Sequence, residues 1–385
     1  MRGVIREVFK GHVDVFRLGC KLAWREERAA QQILSCRTES QGYHIVRCEQ
    51  GDFEDRRFNS CKHRSCPVCG TCDTDKWVRE QELRALPCPY HQIVFTMPDG
   101  LHPLWLYNRT VFTNLLFKAA WAAIQEFTDD PKWLGATPGM MGFFQSWGET
   151  LNTHVHLHVL ITAGGLSADG RWVRSRQSFF CPSTALSLVF RGIFRATLLE
   201  ALAEGDLKTP PGASPAYWRM LLNKFGRQDW HVQIDPAYEH PRGAIRYLGA
   251  YMRRGPIGES RIRRYDQQAL TIAYKRPEDH PSPTFELQAL EFLRRFLTHV
   301  PPKGQRVVRH YGLFHHRLRA QLEQARKILA KELAAGAPST LRTAKPVRPI
   351  PPAMRCPHCG KPLVVVSVRF RSGSRGPPGR QAIPS

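Results

Sequence analysis

The chain has 385 residues, enough for two or three domains and at least one sizeable core. Lysine and arginine number 56 against 33 acidic residues, a net charge of +23 that favours a polyanionic partner, because neutralising phosphates releases counterions. No apolar run approaches the roughly 20 residues that span a bilayer, and charged or polar groups break every apolar stretch near the start, so neither a membrane helix nor a secretory leader is expected.

Eleven cysteines without a leader point to a reducing, cytoplasmic setting and to metal binding, not to a disulfide frame. Six of them lie between Cys36 and Cys72 and mark a first module over residues 1–75. Within it, Cys66-Pro67-Val68-Cys69-Gly70 has the form of a zinc knuckle, a tight turn that aims two thiolates at one tetrahedral ion. A knuckle supplies two ligands, so others must join. Cys61 and Cys48 are nearest upstream, Cys36 and His44 lie behind them, and Cys72 is a substitute for any of these. Scattered buried thiols are the bland alternative, and six cysteines in so short a stretch argue against it.

Apolar runs of strand character follow, from His91, Met140, His154, Trp230 and Ala269, separated by amphipathic stretches near 104–127, 184–204, 241–254 and 285–299. Strands mixed with helices predict an α/β or α+β domain over residues 76–300. The run from His154 carries the chemistry. Alternation along a strand sets His154, His156 and His158 on one face and Val155, Leu157, Val159 and Ile161 on the core face. His156 and His158 can then hold a divalent cation, with Gln145 across the hairpin as third ligand and Glu149 in the turn as its alternative. His154 is assigned a supporting or DNA-contacting place.

Downstream, Pro241 suits a first helical position and Gly255 a helix stop, so Tyr247 and Tyr251 form an i,i+4 pair. Arg246, Arg253 and Arg254 lie close by, able to neutralise phosphates. A tyrosine can attack phosphorus when a metal polarises the phosphate, although two tyrosines alone read more simply as core. Residues 301–345 form a basic extension with an amphipathic helix at 311–335. Residues 346–385 are Pro- and Gly-rich and carry a second knuckle, Cys356-Pro357-His358-Cys359-Gly360, which either completes a site with N-terminal ligands or stands idle.

Taken in order, ILSCRTESQGYHIVRC, NSCKHRSCPVCG, QIVFTMP, QSWGETLNTHVHLHVLITAGGL, AIRYLGAYMRR and PPKGQRVVRHYGLFHHR resemble the HUH-type rolling-circle transposases of bacterial insertion sequences, of the insertion-sequence-ninety-one type. The resemblance covers roughly residues 30–325. It implies a zinc-binding domain followed by an α+β nuclease with a central antiparallel sheet flanked by helices. It carries the metal pair onto His156 and His158 and the nucleophiles onto Tyr247 and Tyr251. The implied reaction is nicking and rejoining of single-stranded or melted DNA ends through a 5′-phosphotyrosine, with magnesium or manganese catalytic and zinc structural. The chain departs from the pattern at Gly51 and Ser65, where the family has zinc ligands, and at Gln145, often histidine. A replication initiator or relaxase, or a zinc-dependent DNA-binding regulator without catalysis, are the rival expectations.

Overall fold

The computed structural model describes residues 3–175, 181–238, 243, 245, 249, 255–274, 283–335 and 355–370, leaving aside the side chains of residues 71–73 and 75. In chain order the elements are α1 (Val4–Gly19), α2 (Trp24–Ser35), β1 (Gly42–Cys48), β2 (Glu54–Phe58), α3 (Cys69–Arg84), β3 (Tyr90–Thr96), α4 (His102–Tyr107) and α5 (Arg109–Thr128). Then come β4 (Thr137–Trp147), β5 (Thr153–Leu166), β6 (Trp172–Arg174), α6 (Ser183–Ala203), α7 (Pro215–Phe225) and β7 (Val232–Ile234). The remainder are β8 (Ile262–Tyr265), β9 (Ala269–Ala273), β10 (Thr284–Gln288), α8 (Ala289–Thr298), β11 (Val308–Gly312), α9 (Arg319–Ala334) and β12 (Leu363–Phe370). The fold is α+β, and the described strand pairings are antiparallel.

The chain divides into two compact units that interleave in sequence. Met1–Asp73, Arg254–Val300 and Lys345–Ser385 make one; Thr74–Arg253 and Pro301–Ala344 make the other. In the first, α1 packs on α8 through an edge-on contact of Phe9 and Phe296, with ring centroids 5.4 Å apart. The α1 N-terminus has no capping side chain of its own. The carboxylate of Glu259 accepts hydrogen bonds from the Val4 and Ile5 amides at 3.0 and 3.2 Å and so satisfies donors a helix start leaves open. Two three-stranded sheets complete this unit, ordered β12-β1-β2 and β10-β9-β8.

The second unit is built on a six-stranded sheet, ordered β11-β4-β5-β3-β7, with β6 beside β5. One face is covered by α4 to α7. There Val155, Leu157, Val159 and Ile161 of β5, all fully buried, meet Phe112 and Leu116 of α5 and Phe190 and Phe194 of α6. The opposite face carries Met141 and Phe143 of β4 and Leu160 of β5, packed with Val78, Leu86 and the α9 residues Leu322, Ala325 and Leu329. Each of the four core-facing residues of β5 contributes roughly 1.5–3 kcal/mol of burial. A slip of one residue would drive histidines into that apolar layer, so the register is firmly held.

Candidate active site and metal centres

Cys36, at the end of α2, meets Cys61 and the knuckle pair Cys66 and Cys69; their sulfurs all lie within 4.8 Å of one another. Cys69 Sγ is 3.5 Å from both Cys36 and Cys61. A disulfide would need about 2.05 Å. Tetrahedral zinc with bonds near 2.3 Å sets sulfurs about 3.8 Å apart, close to what is seen. The knuckle turn is closed by the Gly70 amide donating to the Cys66 carbonyl at 2.9 Å. Hydrogen bonds from Cys36, Cys61 and Cys66 hold Cys69 strongly toward the thiolate, the form that binds metal.

The six predicted zinc ligands therefore do not act as one set. His44 belongs to neither group of close ligand atoms; its Nδ1 lies 3.1 Å from Asn59 Oδ1, so the Asn59 side chain and not a thiol is its neighbour. Cys48 also stands apart, with its sulfur 3.3 Å from that of Cys359 in the second knuckle. The side chain of Cys72 lies outside the described residues.

In the second unit, β4 and β5 form the expected hairpin, with Gln145 opposite His156 and Phe143 opposite His158. The turn joining them holds Leu151 in the left-handed region at φ 62°, fully buried, a strained position for a branched residue. His154, His156 and His158 share one face, with successive rings 4.8 Å apart. His156 is buried, and burial, with the neighbouring His158 adding to it, drives its pKa well below the ordinary histidine range. It is thus neutral at physiological pH. Its Nδ1 lies 2.9 Å from the His154 carbonyl, which can only accept, so the proton sits on Nδ1 and Nε2 keeps its lone pair.

Gln145 is 2% exposed, and its Nε2 donates to the Trp147 carbonyl at 2.8 Å. That bond leaves Oε1 a buried acceptor with no hydrogen-bond partner among the described residues. A buried amide oxygen without a partner is costly unless a cation or water meets it. Two imidazole nitrogens and such an oxygen fit a divalent cation. Glu149, the alternative, is exposed in the turn.

Tyr247, Tyr251, Arg246, Arg253 and Arg254 lie outside the described residues. Their described neighbours Gly243, Ile245 and Gly249 are helical. Ile245 is fully buried in the cluster that holds Val78, Phe143 and Leu160. At Gly249 a Cβ would come within 2.6 Å of Val78 and 2.8 Å of Trp77, so only glycine allows this approach. Trp77 in turn stands edge-on to Phe143 at 5.9 Å. Ile245 and Gly249 therefore pack on the same side of the sheet as the histidines.

Sequence reasoning missed His102, whose Nε2 accepts from the Val155 amide at 3.2 Å and lies 3.6 Å from Asp99. Its ring is 6.5 Å from that of His154, so it supports the end of the histidine strand. A lone histidine at the start of a short helix gives no signal in a sequence. Asp52, beside Cys356, was missed for the same reason.

A family model described as "Putative transposase" matches residues 139–321, and one for a transposase zinc-binding domain matches residues 8–97. The Sinorhizobium fredii (strain NBRC 101917 / NGR234) protein y4qJ, described in the same words as the first model, is 28% identical over 389 residues, 97% of each chain. The transposase for insertion sequence element IS801 of Pseudomonas savastanoi pv. phaseolicola is 31% identical over 305 residues, 77% of this chain and 72% of that one. Among solved structures, the N-terminal nuclease domain of minute virus of mice non-structural protein-1 aligns at 11% identity over 68% of this chain and 98% of that one, with a TM-score of 0.23. With both family models in their expected places and a relative of that identity along most of its length, the chain belongs to the two-tyrosine transposases of bacterial insertion sequences, of the insertion-sequence-ninety-one type, with a transposase zinc-binding domain preceding the transposase region.

Proposed function

We propose that this transposase nicks and rejoins single-stranded or melted DNA at the ends of its element, with Tyr247 and Tyr251 as nucleophiles and His156, His158 and Gln145 as ligands of a magnesium or manganese ion. The observation that carries the reading is the packing of Ile245 and Gly249 on the histidine side of the sheet, against Val78, Trp77 and Phe143.

His156, His158 and Gln145 would hold the cation, which would supply Lewis-acid polarisation of the scissile phosphate when bound. The Tyr247 oxygen forms the new bond to phosphorus as the bond to the 3′-oxygen breaks; the phenol loses its proton and the departing oxygen ends as a 3′-hydroxyl. The 5′-phosphate stays on tyrosine with its bond energy kept, and a 3′-hydroxyl reverses the step to rejoin DNA. Tyr251 serves the second transfer, and Arg246, Arg253 and Arg254 neutralise phosphates along the strand.

The test is an incubation of the full chain with oligonucleotides from the element ends and manganese, read as a denaturant-stable protein–DNA adduct. Wild type forms it; Tyr247→Phe loses the first adduct and retains DNA binding. Absence of any adduct overturns catalysis and leaves a DNA-binding regulator. Greater damage from Tyr251→Phe reverses the order of the two tyrosines. Action on a replication origin in place of element ends identifies an initiator.

A further inference from the structure

The first unit contains a second cluster that the matched zinc-binding domain, which ends at residue 97, does not encompass. Cys48 closes β1, Asp52 sits in the turn toward β2, and Cys356 and Cys359 form the knuckle before β12; one ligand atom from each lies within 4.8 Å of all the others. The Cys48 and Cys359 sulfurs are 3.3 Å apart, and Cys356 Sγ is 3.5 Å from Asp52 Oδ1. Around a tetrahedral zinc, bonds near 2.3 Å to sulfur and 2.0 Å to oxygen give edges of about 3.8 Å between sulfurs and about 3.5 Å from sulfur to oxygen.

We infer that Cys48, Asp52, Cys356 and Cys359 form a second structural zinc site, which clips the segment 355–370 onto the zinc-binding domain. The backbone is already shaped for it. The Gly360 amide donates to the Cys356 carbonyl at 2.9 Å, the same closure, at the same length, as Gly70 to Cys66 in the first knuckle. Gly360 holds φ +72°, a turn conformation that glycine adopts without strain. Around the other half-site, the Gly51 amide donates to the Cys48 carbonyl at 2.8 Å and turns the chain so that Asp52 faces the thiols. The family pattern expects a cysteine at position 51; here the next residue supplies a carboxylate in its stead.

The strand itself needs such a clip. β12 pairs with the whole of β1, from Gly42 opposite Phe370 to Cys48 opposite Leu363, yet none of its eight residues is buried. An added strand with so little apolar burial is poorly held by hydrophobic contact, whereas a closed four-ligand zinc site supplies folding energy directly. Three thiolates select zinc over magnesium or calcium, and with all four positions filled by protein the role is structural.

The experiment uses the full chain, loaded with zinc and, separately, with cobalt(II), whose near-ultraviolet thiolate bands count metal–sulfur bonds and pass over any histidine site. Elemental analysis gives zinc per chain. The double variant Cys356→Ser/Cys359→Ser should hold one zinc fewer than wild type and lose the cobalt–thiolate intensity of three of seven cysteines. Asp52→Asn should retain zinc against a chromophoric chelator at least about 10-fold less well, since even changes beyond the ligands commonly cost that much. Asp52→Cys should restore retention and raise the cobalt–thiolate intensity from seven contacts to eight. An unchanged zinc count in the double variant overturns the site. Wild-type retention in Asp52→Asn overturns the carboxylate as a ligand. The adduct assay plays no part in these readings, so they stand or fall separately from the nuclease proposal.

Discussion

His156 is fixed by its neighbours before any ligand arrives: a backbone carbonyl holds the proton on one nitrogen and burial keeps the ring neutral. His156→Ala should therefore lower the rate of adduct formation by about 100-fold or more, equivalent to roughly 2.7 kcal/mol of barrier, with binding to single-stranded DNA largely kept. Gel-shift and adduct assays on one preparation check both halves. A second histidine has a different consequence. His310 on β11, paired with Gln81 at 2.8 Å, is held by burial, with Arg84 adding to it, at a pKa of about 4 against an ordinary 6.5. Its folded pKa is depressed, so its stability contribution is present above pH 6.5 and is lost as pH falls toward 4. The loss is on the order of 1–3 kcal/mol. Urea unfolding across that range should show the slope, and His310→Gln should flatten it.

At the scale of elements, β5 does two jobs with one alternation: its odd-numbered residues from Val155 to Ile161 make core, and its histidines face the other way. Leu157→Ala removes a fully buried side chain beneath the site and should cost about 2–5 kcal/mol, read from the urea midpoint at unchanged slope. This strand, its hairpin partner and the first knuckle were legible in the sequence because each is local: a period of two, a turn, a pair of cysteines two residues apart. The tyrosine segment was legible as a motif, although its two phenols lie outside the described residues. What pairs β1 with β12 was not legible. Their contact joins residues more than 300 positions apart, and neither strand carries an apolar pattern that names its partner. The division of the predicted zinc ligands into two groups follows from that pairing, and so it too was hidden. His102 escaped because its worth lies in one backbone amide it accepts from.

For the whole molecule, the charge of +23 bears on DNA binding more than on fold. Affinity for single-stranded DNA should fall with salt, the slope of log K against log salt being about −0.7 for each phosphate neutralised. Six contacts give about −4. Titrations between low and physiological salt measure it, and a slope near zero overturns an electrostatic grip.

The pairing of β1 with β12 also sets a timetable. A ribosome delivers Cys48 some 300 residues ahead of Leu363, and at roughly 5–20 residues per second that interval is about 15–60 s. During it the nascent β1 has β2 on one flank and a bare row of amides and carbonyls on the other, an invitation to pair with a neighbouring polypeptide. The sheet built first is thus the last to be finished, and slow or interrupted translation would lengthen its exposure.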